Sequence, residues 1–425
     1  MHTNKKGRCY TMKKNLMKTI AILVFAACLT LTFGISTASA DSAVPVYSAE
    51  DLFTSRDLKQ EADLSDAKTY TLTSGQDIHI SSEGVYVFSG TAANVTVYVE
   101  AGKEDKVQLV LNGATVTNSD FPVIYVTSAD KVFVTTSVDS SLSVTGAFRS
   151  DGETNTDGVI FSKSDLVLNG TAALTISSSE NGVVGKDDLK ITGGTYNITA
   201  AKKAIDANDS IRIADGTLAL TAGTDGLHAE NDDDDTKGYI YIGGGNITVQ
   251  AGDDGIHGTS VVQIDGGILS IKAVEGIEGT YIRINGGTID IQASDDGVNA
   301  ARKSSAYTPT MEINGGEITV VMGTGDTDGI DSNGNIIING GTINVTGNST
   351  FDYDGSAQYN GGTIIVNGQQ VNSIPNQMMG GRGGQNFGLG GQSGWDSQNG
   401  SSNQSGFGGQ SGSSGRSGGR GGRGR

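Results

Sequence analysis

The sequence predicts an all-β solenoid, a parallel β-helix with rungs of about 21–24 residues, and three observations carry this. The glycines Gly255, Gly276 and Gly297 follow one another at a step of 21 residues both times. Between them Ile282, Ile284, Ile289, Ile291 and Ala293 alternate with Arg283, Thr288, Asp290 and Gln292, the period of two that marks strands with one buried face. An Asn/Asp-Gly-Gly corner recurs at Asp265, Asn285, Asn314, Asn339 and Asn360, and glycine lets a backbone turn sharply without a Cβ clash. No helical period of 3.6 and no leucine-rich signature competes with this pattern.

Taken in order, residues 1–40 carry six basic residues and no acid. Met12-Lys13-Lys14, the apolar run Ile20 to Phe33 and the small residues Ala38-Ser39-Ala40 read as a secretory signal peptide, which places the mature protein outside the cytoplasm, secreted or at the cell surface. Cys9 and Cys28 both fall in this leader, so the mature chain has no cysteine; Phe25-Ala26-Ala27-Cys28 leaves lipidation as the alternative to soluble export. No second apolar run of membrane-spanning length follows. Residues 41–76 are the least repetitive and are expected to cap the first rung, because an open stack exposes strand edges. Strands begin at Ile78 and continue as a β-helix to residue 371, with two strands per rung expected on either side of the Asn-Gly-Gly corner. Two insertions, Glu230 to Gly238 and Ala301 to Pro309, interrupt the period at the same point of the rung and are expected to project from one face. Residues 372–425 turn to Gly, Ser, Gln, Asn and Arg, a composition that cannot bury a core; this tail reads as a linker or as a basic tether to an anionic cell-wall polymer.

Residues 41–371 hold 18 basic and 46 acidic residues, a net charge of −28. That excludes nucleic acid as the partner of the folded part and favours cations. The acids are patterned. Aligned on the Gly corner, the preceding position reads Asp157, Asn181, Lys203, Asp225, Asp254, Glu275, Asp296, Asp328 and Asp354, and a second column reads Ile160, Val184, Asp206, His228, His257, Glu278, Asn299 and Asp331. Carboxylates stacked about 4.8 Å apart repel by roughly 3 to 4 kcal/mol at an effective dielectric near 20. Ca²⁺, which takes six to eight oxygens, would offset this, and the expected ligands are Asp225, Asp253, Asp254, Glu275, Asp295 and Asp296. The competing reading is that Asp before Gly is simply good turn chemistry.

Arg212, Tyr241, Gln263 and Arg283 are expected to form an outward strip of stacking and hydrogen-bonding side chains, walled by Arg302, Lys303 and Tyr307 of the second insertion. Such a strip suits an extended sugar chain, although an ordinary solvated sheet face has the same composition.

The run Val85-Tyr86-Val87-Phe88-Ser89-Gly90-Thr91, then Val107 to Gly113, then Ile124 to Val132, followed by the Asp-Gly and Asn-Gly-Gly rungs, resembles the secreted bacterial carbohydrate-binding domain-containing β-helix family over about residues 45 to 370. The resemblance implies a right-handed parallel β-helix akin to polysaccharide lyases, bound calcium, and affinity for plant-type or acidic polysaccharides such as cellulose or polygalacturonate. A calcium-stabilised, noncatalytic binding protein is therefore expected. A pectate-type lyase is the enzymatic alternative, with Lys203, the one basic residue in the acid column, as proton acceptor, and a surface scaffold or adhesin is the third.

Overall fold

Each rung carries three short strands, one more than the sequence pattern suggests. The computed structural model describes residues 43–324 and 327–376, so the leader, Cys28 and most of the Gly/Ser/Arg tail lie outside the described residues. Nearly all strand pairs are parallel and join strands one rung apart, which is the connectivity of a parallel β-helix. The strands fall into three sheets. Sheet 1 includes Asn181–Gly185, Ile205–Ala207, Leu227–Ala229, Val298–Ala300, Asp328–Ser332 and Ser349–Tyr353. Sheet 2 includes Lys131–Val138, Asp165–Gly170, Asp188–Ile191, Ser210–Ile213, Tyr239–Ile242 and Thr310–Ile313. Sheet 3 includes Thr217–Ala222, Asn246–Ala251, Ile268–Ala273, Thr288–Ala293 and Glu317–Met322. The long strands Asp254–Ile264 and Glu275–Ile284 run through sheet 1 and on into sheet 2.

The extra strand is the acid-Gly segment itself, read from sequence as a corner. One inward side chain per rung pulls it into register: Ile256, Ile277, Val298 and Ile330 are fully buried. Three residues are too few for alternation to stand out in a sequence. Sheet 2 adds Val262, Ile264, Ile282, Ile284, Met311 and Ile313 to the same core, and sheet 3 adds Leu269, Ile271, Ile289, Ile291, Ile318 and Val320. Each such side chain contributes roughly 1.5–3 kcal/mol on burial, so neighbouring rungs hold the stack together without disulfides.

Between sheets 2 and 3 the Asn-Gly-Gly corner does two jobs. Gly287, Gly316 and Gly341 sit at φ of 94°, 91° and 84°, and a Cβ on Gly316 would meet the Gly287 carbonyl oxygen at 3.0 Å. The asparagines form a ladder up the corner: Nδ2 of Asn314 donates to Oδ1 of Asn285 at 2.8 Å, Asn339 to Asn314 at 2.7 Å and Asn360 to Asn339 at 2.7 Å.

The N-terminal segment differs from the expected end cap. Residues 43–60 lie along the outside of sheet 2. The Arg283 Nη1 donates to the Pro45 carbonyl at 2.7 Å, and the Gln263 amide brackets the Tyr47 backbone, accepting from its N–H at 3.0 Å and donating to its carbonyl at 2.8 Å. After the short helix Ala49–Leu52, Lys190 Nζ donates to the Leu52 carbonyl at 2.8 Å and to Asp57 at 3.1 Å, and Asn169 Nδ2 reaches the Lys59 carbonyl at 2.9 Å. The segment thus passes backward across the rungs before the first strand, Lys68–Thr71. Sheet 2 favours this because its outward side chains are donors and aromatic rings: Tyr47 stacks on Tyr239 at 4.2 Å, and Arg56 lies 4.8 Å over the Phe133 ring.

Candidate functional site

The outward side of sheet 1 is a single column of side chains. Strand register sets His79, Tyr98, Tyr125, Phe161, Val184, Asp206, His228, His257, Glu278, Asn299, Asp331 and Asp352 one above another. Phe161, not Ile160, holds its place in this column; Ile160 points into the core. The first rungs form an aromatic segment that sequence reasoning missed because the repeat is loosest there: the His79 and Tyr98 rings stack at 4.7 Å, and Arg149 caps Phe121 at 4.1 Å.

In the middle of the column the charges neutralise one another. Lys203 Nζ donates to Asp206 at 3.1 Å and approaches His228 Nδ1 at 2.9 Å, while His228 Nδ1 lies 2.8 Å from Asp206. Burial works against the ionised Asp206, yet the His228 hydrogen bond and the Lys203 charge outweigh it and hold the carboxyl at about 2. The His228 and His257 rings stack at 4.8 Å. His257 Nδ1 lies 2.8 Å from both Asp254 and Glu278, and Lys303 Nζ lies 2.7 Å from the other oxygen of Glu278. Burial alone would favour neutral imidazole, but the two carboxylates raise His257 to about 9. The ligand atoms of Asp254, His257 and Glu278 fall within 4.8 Å of one another.

Further along, the acids lose their counter-charges. Glu275 directly follows Asp254 in register, and the Asp328 N–H donates to Asp296 Oδ1 at 3.2 Å. Burial, then the neighbouring Glu278, pushes Glu275 up to about 7; burial, then Asp296, Asp328 and Asp352, pushes Asp331 to about 7. Asp296 rises to about 6, through burial and the charges of Asp295 and Asp328. Asn299 is 8% exposed and donates Nδ2 to Glu275 at 3.1 Å, while its buried Oδ1 accepts no hydrogen bond.

The other expected metal ligands are spread over the same sheet. Asp225 is buried and accepts from the Asp254 N–H at 3.2 Å, whereas Asp253 and Asp295 are exposed beside the column. A second acid cluster, Asp187, Asp188 and Asp209, was not anticipated, since Asp187 and Asp209 sit in unremarkable bends and Asp188 only opens the strand Asp188–Ile191. Arg212 pairs with Asp188 at 2.5 Å and Lys237 with Asp209 at 2.5 Å.

The expected sugar strip lies on sheet 2, and the N-terminal segment occupies that face. Tyr241 is buried against Leu52 and Phe53, and its hydroxyl lies 3.0 Å from Asp265. Arg283 is buried between Pro45 and Glu312, and Arg212 is half-buried over the Tyr239 ring at 5.2 Å. The strip therefore serves as a docking surface for the chain itself. The two insertions meet across the rungs, with Ser304 Oγ donating to the Asp235 carbonyl at 2.6 Å. Tyr307 is buried, Lys303 is committed to Glu278, and Arg302 is exposed.

Sheet 3 keeps an open groove. A depression of about 530 Å³ crosses four rungs and is lined by Thr248, Gln250, Ser270, Lys272, Asp290, Gln292, Thr319 and Val321. The side chains of Gln250, Lys272, Asp290 and Gln292 are exposed and make no hydrogen bond or ion pair with the described residues. Nothing in a plain alternation of polar and apolar residues signals such a concavity.

Among the described residues no helix is long and apolar enough to cross a membrane. A family described as carbohydrate-binding domain-containing protein matches residues 74–326 and 275–372. A carbohydrate-binding domain-containing protein of Acetivibrio thermocellus is 33% identical over 132 residues, which is 30% of this chain and 46% of that protein, so the match spans about half of the relative's length. A solved structure, the gadolinium derivative of the polysaccharide lyase-like protein from C. thermocellum, aligns at a TM-score of 0.46 and 29% identity over 52% of this chain and 96% of its own. With the family match running through nearly the whole β-helix, the chain belongs to the carbohydrate-binding domain-containing family.

Proposed function

We propose that this is a secreted, calcium-stabilised protein that binds plant-type polysaccharide without cleaving it, holding an extended glycan along the groove of sheet 3. The observation that carries the reading is the set of unpartnered amide, hydroxyl and charged groups in that groove, on a face the N-terminal segment leaves open. One lysine and one aspartate line it, so it has no net charge within a strongly acidic domain and suits a neutral, cellulose-like chain better than polygalacturonate. Gln250 and Gln292 each offer a donor pair and an acceptor to sugar hydroxyls, and the methyl groups of Val321 and Thr319 offer apolar contact. The lining holds no histidine and no pair of carboxylates, which fits binding rather than acid–base chemistry. Secretion rests on the leader pattern of residues 1–40, and calcium on the stacked carboxylates of sheet 1.

Pull-down on insoluble cellulose is the test. The double variant Gln250→Ala, Gln292→Ala is expected to weaken retention at least about fivefold, as loss of two hydrogen-bonding groups implies; unchanged retention removes the groove from the proposal.

A lyase remains the second reading because Lys203 stands on sheet 1 between Asp206 and His228. Its ammonium is already engaged by both, which suits charge relief more than proton abstraction. Unsaturated product from polygalacturonate that disappears in Lys203→Ala would establish the lyase. Retention on glycan with and without chelator separates both readings from a scaffold or adhesin whose sugar contact is incidental.

A further inference from the structure

The groove of sheet 3 and the corner beside it repeat on every second rung. In the outward column Gln250, Lys272 and Gln292 follow one another in register, so amide, ammonium and amide alternate. At the corner between sheet 3 and sheet 1 the order is Asp253, Val274, Asp295. The Val274 N–H donates to the Asp253 carbonyl at 2.9 Å and the Asp295 N–H to the Val274 carbonyl at 2.9 Å, which sets these three residues on successive rungs. The groove runs on to this corner as a depression of about 450 Å³, lined there by Ala251, Ala273 and Ala293 and by Gly252, Val274 and Ser294. Gly252 and Ser294 directly precede the two aspartates. Both aspartates are exposed, and their side chains make no hydrogen bond or ion pair with the described residues. Inside the groove Lys272 and Asp290 offset each other in charge, so Asp253 and Asp295 make its corner edge negative.

A β-1,4-linked sugar chain has the same periodicity. Its rings are close in length to the height of a rung, and each is turned over relative to the one before, so a given substituent faces one side on every second ring. Laid along the rod at one ring per rung of about 4.8 Å, such a chain presents that substituent to Asp253 and, two rings later, to Asp295. We propose that the groove selects, among β-1,4-linked polysaccharides, those that carry amino groups: ammoniums on alternate rings pair with Asp253 and Asp295, Gln250 and Gln292 bond ring hydroxyls, and the alanines meet the apolar ring faces. A free carboxylate at the edge of a binding groove favours a cation over an anion, and the net charge of −28 on residues 41–371 acts in the same direction. This rests on the reading of the sheet 3 groove as the glycan site and adds the class of sugar it takes.

The test is calorimetric titration of the full chain, at mildly acidic pH where the sugar amine is protonated, with β-1,4-linked hexamers of glucosamine, N-acetylglucosamine and glucose. The glucosamine hexamer is expected to bind at least about threefold tighter than the other two, as two exposed charge pairs imply. The double variant Asp253→Asn, Asp295→Asn is expected to bring it to the level of the glucose hexamer and to leave glucose hexamer binding within about twofold of the parent. Asp232→Asn, Asp233→Asn removes the same charge from the exposed loop of the first insertion and is expected to keep the preference. Equal affinity for the three hexamers in the parent, a preference that survives Asp253→Asn, Asp295→Asn, or a preference lost equally in Asp232→Asn, Asp233→Asn overturns the assignment, the last because bulk charge then explains it. The two readings fail in different ways. Glucose hexamer binding that is weakened by Gln250→Ala, Gln292→Ala but shows no amine preference overturns this inference alone, whereas binding of none of the three hexamers overturns the groove itself.

Discussion

At the scale of single residues, the column on sheet 1 shows how neighbours decide the state of chemically similar groups. Asp206 and Asp331 occupy equivalent outward positions. Asp206 has His228 and Lys203 beside it and is held at about 2, whereas Asp331, between Asn299 and Asp352 with no basic partner, is pushed by burial and the neighbouring carboxylates to about 7. His257 titrates above both. Its folded value, about 9, lies above the 6.5 of a free imidazole, so protonated His257 contributes stability that is complete below about pH 6.5 and is lost as pH rises to about 9. In chelator, the melting temperature is expected to fall across that window, and His257→Gln is expected to flatten the fall. A parent curve that stays level from pH 6.5 to 9 would contradict the charged imidazole. The columns, with Lys203 as the one basic member, were readable in the sequence, but the local runs Ala204-Ile205-Asp206-Ala207 and Gly329-Ile330-Asp331-Ser332 do not show which side chains reach each carboxyl.

At the scale of elements, the decisive one is the segment 43–60. It reaches sheet 2 through an ion pair at nearly zero exposure: Asp57 is 0% exposed and contacts Lys190 at 3.1 Å and Lys131 at 3.3 Å. Removing one partner of a buried pair leaves the other charge uncompensated, so Asp57→Ala is expected to cost about 3–5 kcal/mol of unfolding free energy by denaturant titration. A loss under about 1 kcal/mol would mean that the segment merely rests on the sheet. Its composition reads as a mixed polar stretch, and its position as an N-terminal cap; both readings are local. The partners that hold it lie far away in sequence, such as Gln263 for Tyr47 at a separation of 216 residues. The Asn-Gly-Gly corner was legible as a turn because glycine's freedom is a property of one residue. The hydrogen-bonded ladder through Asn285, Asn314, Asn339 and Asn360 was not, because it needs the corners in vertical register.

For the β-helix as a whole, stability is a sum of rung contributions and contacts between neighbouring rungs, so local opening follows local bracing. The segment 43–60 contacts sheet 2 from Phe133 to Arg283 and leaves the last rungs without such cover. Hydrogen exchange in chelator is therefore expected to be at least about tenfold faster for Ile336–Ile338 and Ile364–Val366 than for Ile211–Ile213. The opposite order would show that the segment does not brace the stack.

The amino-acid order by itself determined the solenoid, its rung length, the Asn-Gly-Gly corners and most inward side chains, because alternation and glycine placement are written within a few consecutive residues. It also set the carboxylates in columns, since a constant step fixes what stacks. Only the tertiary structure decided which face stays open and which acids find a counter-charge. Both depend on where distant chain is laid: the N-terminal segment over Tyr241 and Arg283, and Lys303 brought by its loop onto Glu278. Period and composition do not encode such long-range contacts, and these contacts separate a covered sheet from an open groove and a self-neutralised triad from acids without a basic partner.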